Sequence, residues 1–425
     1  MSKCCNKIYD LYDSLLYSLG PSRKFAHSLR SAINADPDAM NYGAFRFEEG
    51  LADMYERSTR NIQKPEFNID YVDVKGEKVK VFQTTVLKKS FGDLVRFTKE
   101  NQSIEPKVLI IAPISGHFAT LLRDTVRRMI PNHDVYITDW KSLRDVPGDQ
   151  GDFNLDTYLS YLIDFVHCIG PNSHILAVCQ PAVQVMALAA VLDEAGDPCV
   201  PSSIVPMGGP IDPRAKKTQV NELAESHQLS WFEKNFITVV PAEYAGAGRK
   251  VYPGFIQLAA FINMNPDAHF KAHIQYLEDK ITNSKSGIDK HATFYDEYLS
   301  VLDMDAVYYL ETIEKIFQTY ELPRGIMTYQ GRKIDLSAIR HCALLTIEGE
   351  KDDISAPGQT FAAHGLCGNI PDDMRGHYLQ PGVGHYGVFS GSKWRSHVAA
   401  EIEKFIQKFD RNSGSHYRSG NICMI

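Results

Sequence analysis

The chain has 425 residues, 44% of them hydrophobic, and a formal net charge of −7. That length can bury a large core and leaves room for one catalytic-size domain with insertions, and the mildly acidic balance gives no electrostatic basis for nucleic-acid binding. The start, from Met1 to Lys7, holds no apolar signal-peptide core, so secretion is not expected; the cysteines at 4, 5, 168, 179, 199, 342, 367 and 423 form neither a C-x-x-C pair nor a histidine-flanked pattern, leaving little support for a zinc site or a disulfide framework.

Residues 1–66 read as a helical N-terminal extension, with Ile8, Leu11, Tyr12, Leu15 and Leu16 recurring at helical spacing. Over 67–90, the alternation in Val72-Val74 and in Val79-Val81-Gln83 predicts an antiparallel hairpin. An apolar strand at 108–111 then runs into the turn Ala112-Pro113-Ile114-Ser115-Gly116-His117 ahead of a helical pattern. Such a turn can aim backbone amides at a developing oxyanion. The position after Ala112-Pro113 makes Ile114 the donor, with Ser115 as the alternative, while His117 suits a rim or structural role better than that of a base. A further strand is expected at 134–140.

Residues 174–183 read as a buried strand, a sharp turn with Cys179 at its apex, and a helix start. The pattern G-x-S-x-G describes such a nucleophile elbow, because small flanking residues let strand and helix approach closely. Here the flanks are Ala177 and Pro181, with cysteine in place of serine. Proline is tolerated in a first helical turn, where its missing N–H would have no intrahelical partner. The amide of Gln180 stays free to face an oxyanion. The competing reading is a core strand and helix with an inert buried cysteine. The apolar stretch 175–192 is not expected to span a membrane, since it contains Gln180, Gln184 and a proline and has a β-rich first half.

A strand at 203–207 closes a first core segment, 67–220. The alternation of strand and helix then breaks at 221–335, an aromatic-rich, mostly helical insertion expected to form a cap; its aromatic stripes read as core, and no substrate contact is assigned within it. The second core segment, 336–410, opens with a strand at 343–347 ending in Glu348-Gly349-Glu350-Lys351-Asp352-Asp353. Asp352 fits the place of an acid that orients a histidine; Asp353 is its rival, and a solvated turn is the simpler alternative. A strand near 378 leads into Gly382-Val383-Gly384-His385-Tyr386-Gly387, whose glycines suit a backbone bent to aim His385. Trp394, Val398, Ile402, Phe405, Ile406 and Phe409 mark a closing amphipathic helix. Residues 411–425 read as a disordered tail, and Cys423, third from the end, misses the spacing for prenylation.

Together these residues suggest nucleophilic catalysis: His385 takes the Cys179 proton, Asp352 fixes the imidazole tautomer, the thiolate attacks an acyl carbonyl, and the amides of Gln180 and Ile114 hold the oxyanion. The resulting acyl-thioester could pass to water or to a thiol.

The chain resembles the intracellular polyhydroxybutyrate (PHB) depolymerases, which are α/β-hydrolases with a doubly wound, mostly parallel sheet. The resemblance rests on Ala177-Val178-Cys179-Gln180-Pro181-Ala182, on the stretch from Pro113 to Arg123, on Met207-Gly208-Gly209-Pro210-Ile211-Asp212, on residues 348–355 and on Gly384-His385-Tyr386-Gly387. It implies a Cys179, Asp352, His385 triad acting on 3-hydroxybutyrate esters. It also implies a cytoplasmic setting on storage granules, no metal or cofactor, and coenzyme A only as a possible acyl acceptor. The related polyester synthases flank their cysteine with glycines, so Pro181 and the Pro-Ile-Ser-Gly-His turn favour the degradative family; a non-catalytic granule-binding protein of the same fold is the other alternative.

Overall fold

The computed structural model describes residues 7–60 and 63–411. Cys4, Cys5, Cys423 and the tail expected from 411 onward fall outside them, Arg411 excepted. Three helices come first: α1 (Lys7–Ser18), α2 (Gly20–Ala35) and α3 (Gly43–Thr59). The expected hairpin follows as β1 (Tyr71–Val74) and β2 (Glu77–Leu87), and a third antiparallel strand, β3 (Gly92–Lys99), lies beside it. Sequence reading missed β3. Asp93, Arg96, Thr98 and Lys99 interrupt its apolar residues, and tertiary pairing rather than periodicity makes it a strand.

The core then alternates: β4 (Lys107–Ile111), α4 (Arg123–Met129), β5 (Asp134–Trp140), α5 (Leu155–Ile169), β6 (Ser173–Val178), α6 (Ala182–Glu194) and β7 (Ser203–Met207). Between β7 and the next core strand lie α7 (Gln219–Ser226), α8 (Leu229–Phe236), β8 (Thr238–Val239), β9 (Lys250–Tyr252), α9 (Gly254–Met264), α10 (Pro266–Thr282), α11 (Lys285–Tyr298), β10 (Met304–Asp305), α12 (Ala306–Glu311), a π-helical turn over Thr312–Gln318, and the small hairpin β11 (Thr328–Tyr329) and β12 (Arg332–Lys333). The stretch read as a helical cap thus also contains a three-stranded sheet, β10-β9-β8, whose strands are too short to show a period. The core closes with β13 (Ala343–Gly349), α13 (Ala363–Leu366), β14 (Arg375–Gln380), α14 (Gly391–Lys393), a π-turn over Trp394–Val398, and α15 (Ala399–Phe409).

The nine core strands run β1-β2-β3-β5-β4-β6-β7-β13-β14, parallel from β5 through β14. Helices cover both faces, so β4, β6 and β7 are apolar along most of their length and nearly all of their side chains are buried. The order reverses around β4, and in a sheet of this kind the loops at the strands' carboxyl ends form the binding crevice. The turns after β4, β6, β7, β13 and β14 all open on that edge. On the closing helix Trp394, Val398, Ile402 and Ile406 are fully buried, while Phe405 packs at the margin.

Candidate active site

Cys179 follows β6 directly and has a left-handed backbone, with φ at 67°. A non-glycine residue held there stores on the order of 1–3 kcal/mol, tolerated only where the surroundings enforce it. They do: its N–H donates to the Met207 carbonyl at 2.8 Å, its carbonyl accepts from Ala182 N at 3.1 Å, and α6 starts at once. On the other side lies Gly209. A Cβ there would come within 2.2 Å of the Ala182 Cβ and 2.5 Å of the Cys179 carbonyl oxygen. Glycine at 209 and alanine at 182 are therefore what allow the elbow to press against the turn after β7. Thr360 staples that turn, its hydroxyl accepting from Gly209 N at 2.8 Å and donating to Gly209 O at 2.9 Å. Buried Glu348, at the end of β13, accepts the amides of Gly358, Thr360 and Phe361, each at 2.9 Å, and so fixes the loop carrying Thr360.

Asp352 and His385 follow the next two strands, β13 and β14. One Asp352 oxygen accepts the amides of Ile354 at 3.0 Å and Ser355 at 2.8 Å, which leaves the other to accept from His385 Nδ1 at 2.8 Å. Asp353 is exposed to solvent, and the ring's hydrogen bond goes to Asp352. The two loops are joined where Lys351 N donates to the Val383 carbonyl at 2.8 Å. His385 and Cys179 line the same cavity. Burial alone would lower the imidazole's proton affinity, but the negative charges of Cys179 and Asp352 outweigh it and hold His385 well above its ordinary value. Gly208, with φ at 55°, makes room for this pair; a Cβ there would lie 3.1 Å from Asp352 Oδ2 and 3.5 Å from the His385 ring.

On the opposite side of Cys179, Ala112 anchors the turn after β4. Its N–H donates to Thr138 Oγ1 at 3.0 Å, and its carbonyl accepts from Trp140 Nε1 at 2.9 Å. The amides of Ile114 and Gln180 have no protein acceptor among the described residues. Both residues line the cavity that contains Cys179, and so does Ser115. The Gln180 side chain is held by the Tyr308 hydroxyl and, at 3.4 Å, by Thr312. His117 is buried, its Nε2 lies 3.0 Å from the Tyr298 carbonyl, and burial pushes it down to about 4, so it is a neutral tie between the turn and α11.

Two adjoining cavities open from this centre. One of about 450 Å³ contains Cys179, Ile114 and Gln180 within a mainly apolar wall that includes Val220, Phe232 and Tyr309. The other, of about 520 Å³, lies between Gly384, Gly387 and the helices α10 and α11; His385 and Tyr386 line both. Sequence reading missed Glu348, Thr360, Tyr298, Tyr308 and Tyr386 as parts of the site. The Gly208-Gly209 pair behind a core strand was a legible signal, whereas the tyrosines and Thr360 meet the site only through long-range folding. Among the described residues, one group with metal-capable side chains comes together: His167 in the last turn of α5 with Asp197 and Cys199 in the loop that precedes β7, at the edge of the sheet opposite the crevice. No helix among the described residues is long and apolar enough to cross a membrane.

A doubly wound sheet in this strand order, with a strained elbow, an acid after a later strand and a histidine after the last, defines an α/β-hydrolase. Residues 208–410, which carry both Asp352 and His385, match the family model described as PHB de-polymerase C-terminus. No curated protein sequence matches the chain. Among solved structures it is similar to a putative lipase from Acinetobacter baumannii AYE, at 13% identity and a TM-score of 0.43 over 77% of this chain and 93% of that one. It is also similar to a thermophilic esterase from Thermogutta terrifontis, at 14% identity and a TM-score of 0.41 over 80% and 97%. A 2-hydroxy-6-oxo-6-phenylhexa-2,4-dienoate hydrolase from Rhodococcus sp. strain RHA1 is a third, at 10% and 0.41 over 78% and 99%. At those scores the fold assignment rests on strand order and connectivity.

Proposed function

We propose that this protein cleaves the ester bonds of poly(3-hydroxybutyrate) through an acyl-cysteine intermediate on Cys179, with His385 as general base and acid and Asp352 as its orienter. The observation that carries the reading is the His385 ring, held by the buried Asp352 carboxylate at 2.8 Å and lining the same cavity as the elbow thiol of Cys179. The thiolate adds to the ester carbonyl, and the amides of Gln180 and Ile114 receive the oxyanion. The C–O bond then breaks as the imidazolium hands its proton to the departing alkoxide. Water, or the thiol of coenzyme A, attacks the acyl-thioester in turn while His385 accepts its proton. The apolar wall around Cys179 suits an uncharged polyester. Exposed Leu11, Leu15 and Phe25 on the N-terminal helices, with Phe270 on α10, offer apolar surface for adhesion to a storage granule in the cytoplasm.

The test is polymer release by wild type and by Cys179→Ala, with intact-mass detection of an acyl adduct and product analysis with and without coenzyme A. Loss of release and of the adduct in the variant is expected. Polymer growth from 3-hydroxybutyryl-CoA without any release would make the protein a synthase-like acyltransferase. Granule binding with equal, negligible turnover in both forms would make it a non-catalytic binder.

A further inference from the structure

We infer that the two cavities divide the substrate at the scissile bond, with the 520 Å³ compartment outside His385 taking the alcohol-side polyester chain and the 450 Å³ compartment taking the acyl side. This rests on the acyl-cysteine reading above and adds the direction of the bound chain. A carbonyl carbon attacked by Cys179 carries three groups in fixed places. Its oxygen must face the amides of Ile114 and Gln180, and both residues belong to the inner compartment alone. The leaving oxygen must face the imidazole that protonates it. His385 stands where the compartments meet, and beyond it, past Gly384 and Gly387, only the outer one continues. The acyl chain is therefore left to the inner side and the departing alcohol to the outer.

The outer walls suit that occupant. Phe294 and Tyr298 of α11 stack at 5.3 Å between ring centres, and the Tyr386 ring meets that of Tyr298 at 6.1 Å, so this side of the wall presents aromatic faces. Lys351 and Asp353 at its rim carry opposite charges, so together they add no net charge. An uncharged chain of alternating methyl groups and esters matches such a surface. Its volume is within the range of pockets that enclose a sizeable ligand, whereas a site that served only a water molecule would need no such room. Occupied compartments on both sides of the bond mean that a chain interior, and not only a chain end, fits across the centre.

The experiment narrows the outer compartment from α10 with Ala268→Trp and, separately, Ala272→Trp, both small residues on its wall. Cleavage of the linear 3-hydroxybutyrate trimer, whose leaving alcohol is a hydroxyacid chain, is compared with cleavage of methyl 3-hydroxybutyrate, whose leaving group is methanol. The ratio of kcat/KM for trimer over methyl ester is expected to fall at least about tenfold in each variant. Alkylation of the Cys179 peptide by iodoacetamide, followed by mass spectrometry, reports whether the centre is intact. A ratio unchanged in both variants, with alkylation preserved, overturns the assignment of the compartments. Wild type inactive on both esters overturns the esterase reading itself.

Discussion

Gly209→Ala tests whether close approach of the turn after β7 is what holds the nucleophile in place. The added methyl would meet the Ala182 Cβ at 2.2 Å and the Cys179 carbonyl oxygen at 2.5 Å. Carbon contacts are comfortable only near about 3.5–4.0 Å, so one of the two segments must move by about 1 Å or more. Neither can do so cheaply, since the Gly209 backbone is pinned by Thr360 and Cys179 N by Met207 O. Overpacking of a closed site costs about 1–3 kcal/mol, and a displacement of about 1 Å at a reacting centre costs about 100-fold in rate. The assay is urea unfolding alongside turnover of a soluble 3-hydroxybutyrate ester. A lower unfolding midpoint and a kcat reduced about 100-fold, with KM little changed, are expected. Gly365→Ala is the control, because a Cβ at this helical position meets nothing within 4 Å and should be neutral or slightly stabilising. A Gly209→Ala protein as stable and active as wild type would refute close packing at Gly209 as the support of the elbow.

Asp352→Asn keeps an oxygen for the amides of Ile354 and Ser355 but removes the charge behind His385; ester turnover should fall about 100- to 10,000-fold with little loss of stability, and a fall of less than about tenfold would remove Asp352 from the mechanism. Tyr308→Phe takes away the hydroxyl that holds the Gln180 side chain. The expected cost is about 1 kcal/mol in urea unfolding and a reduced kcat, because Gln180 also supplies an oxyanion amide; an unchanged kcat would show that this support is not needed. Burial lifts Asp303 to about 7, opposed by the Gly254 amide. A carboxyl whose folded value lies above its unfolded value near 3.8 binds protons on folding, so its contribution is lost as pH rises from the unfolded value through the folded one. Asp303→Asn should therefore gain on the order of 4 kcal/mol relative to wild type at about pH 8 and little at about pH 4, read by urea unfolding at each pH; equal differences at both would refute it.

What was legible in the sequence follows from how local its cause is. The strands around the site are short apolar runs buried on both faces, and that pattern is written in consecutive residues. The elbow is local too, because strand, thiol, proline and helix lie within residues 174–183. That Asp352 and His385 meet was legible by chain order and by glycines, even though the whole cap insertion separates them from the elbow. β3 was missed because its mixed side chains depend on pairing with β2 and β5. The cap's contribution was illegible for a similar reason: Tyr298, Tyr308 and Phe261 look like core aromatics, and only folding brings them to the site, Tyr298 and Phe261 as cavity walls and Tyr308 as the partner of Gln180. Positive φ at Cys179 is likewise a tertiary consequence, enforced by Met207 and Gly209 rather than by the residue itself.

The root of the insertion is not a hinge set apart from the chemistry. Leu302 N donates to the Gly116 carbonyl at 2.6 Å, His117 pairs in a bridge with Val301, and its ring meets the Tyr298 carbonyl, so the turn carrying Ile114 is held from the cap side. The neighbouring residue secures the turn after β5: Asp303 N donates to Ser142 Oγ at 3.0 Å and the Asp303 carbonyl accepts from Leu143 at 2.9 Å. Arg249, just before β9, adds a fork to the carbonyls of Val146, Pro147 and Gly151. A cap that swung away as one piece would have to break these buried bonds and would carry off the support of the oxyanion donor at the same time. The helices α10 and α11 are tied in as well: on α10 Tyr276 donates to buried Asp53 and Lys280 pairs with buried Glu49, while on α11 Asp296 pairs with Arg57 and Glu297 with Arg123. Substrate entry is expected over the loops of Asp353 and Gly384, where they line the cavity beside α10 and α11.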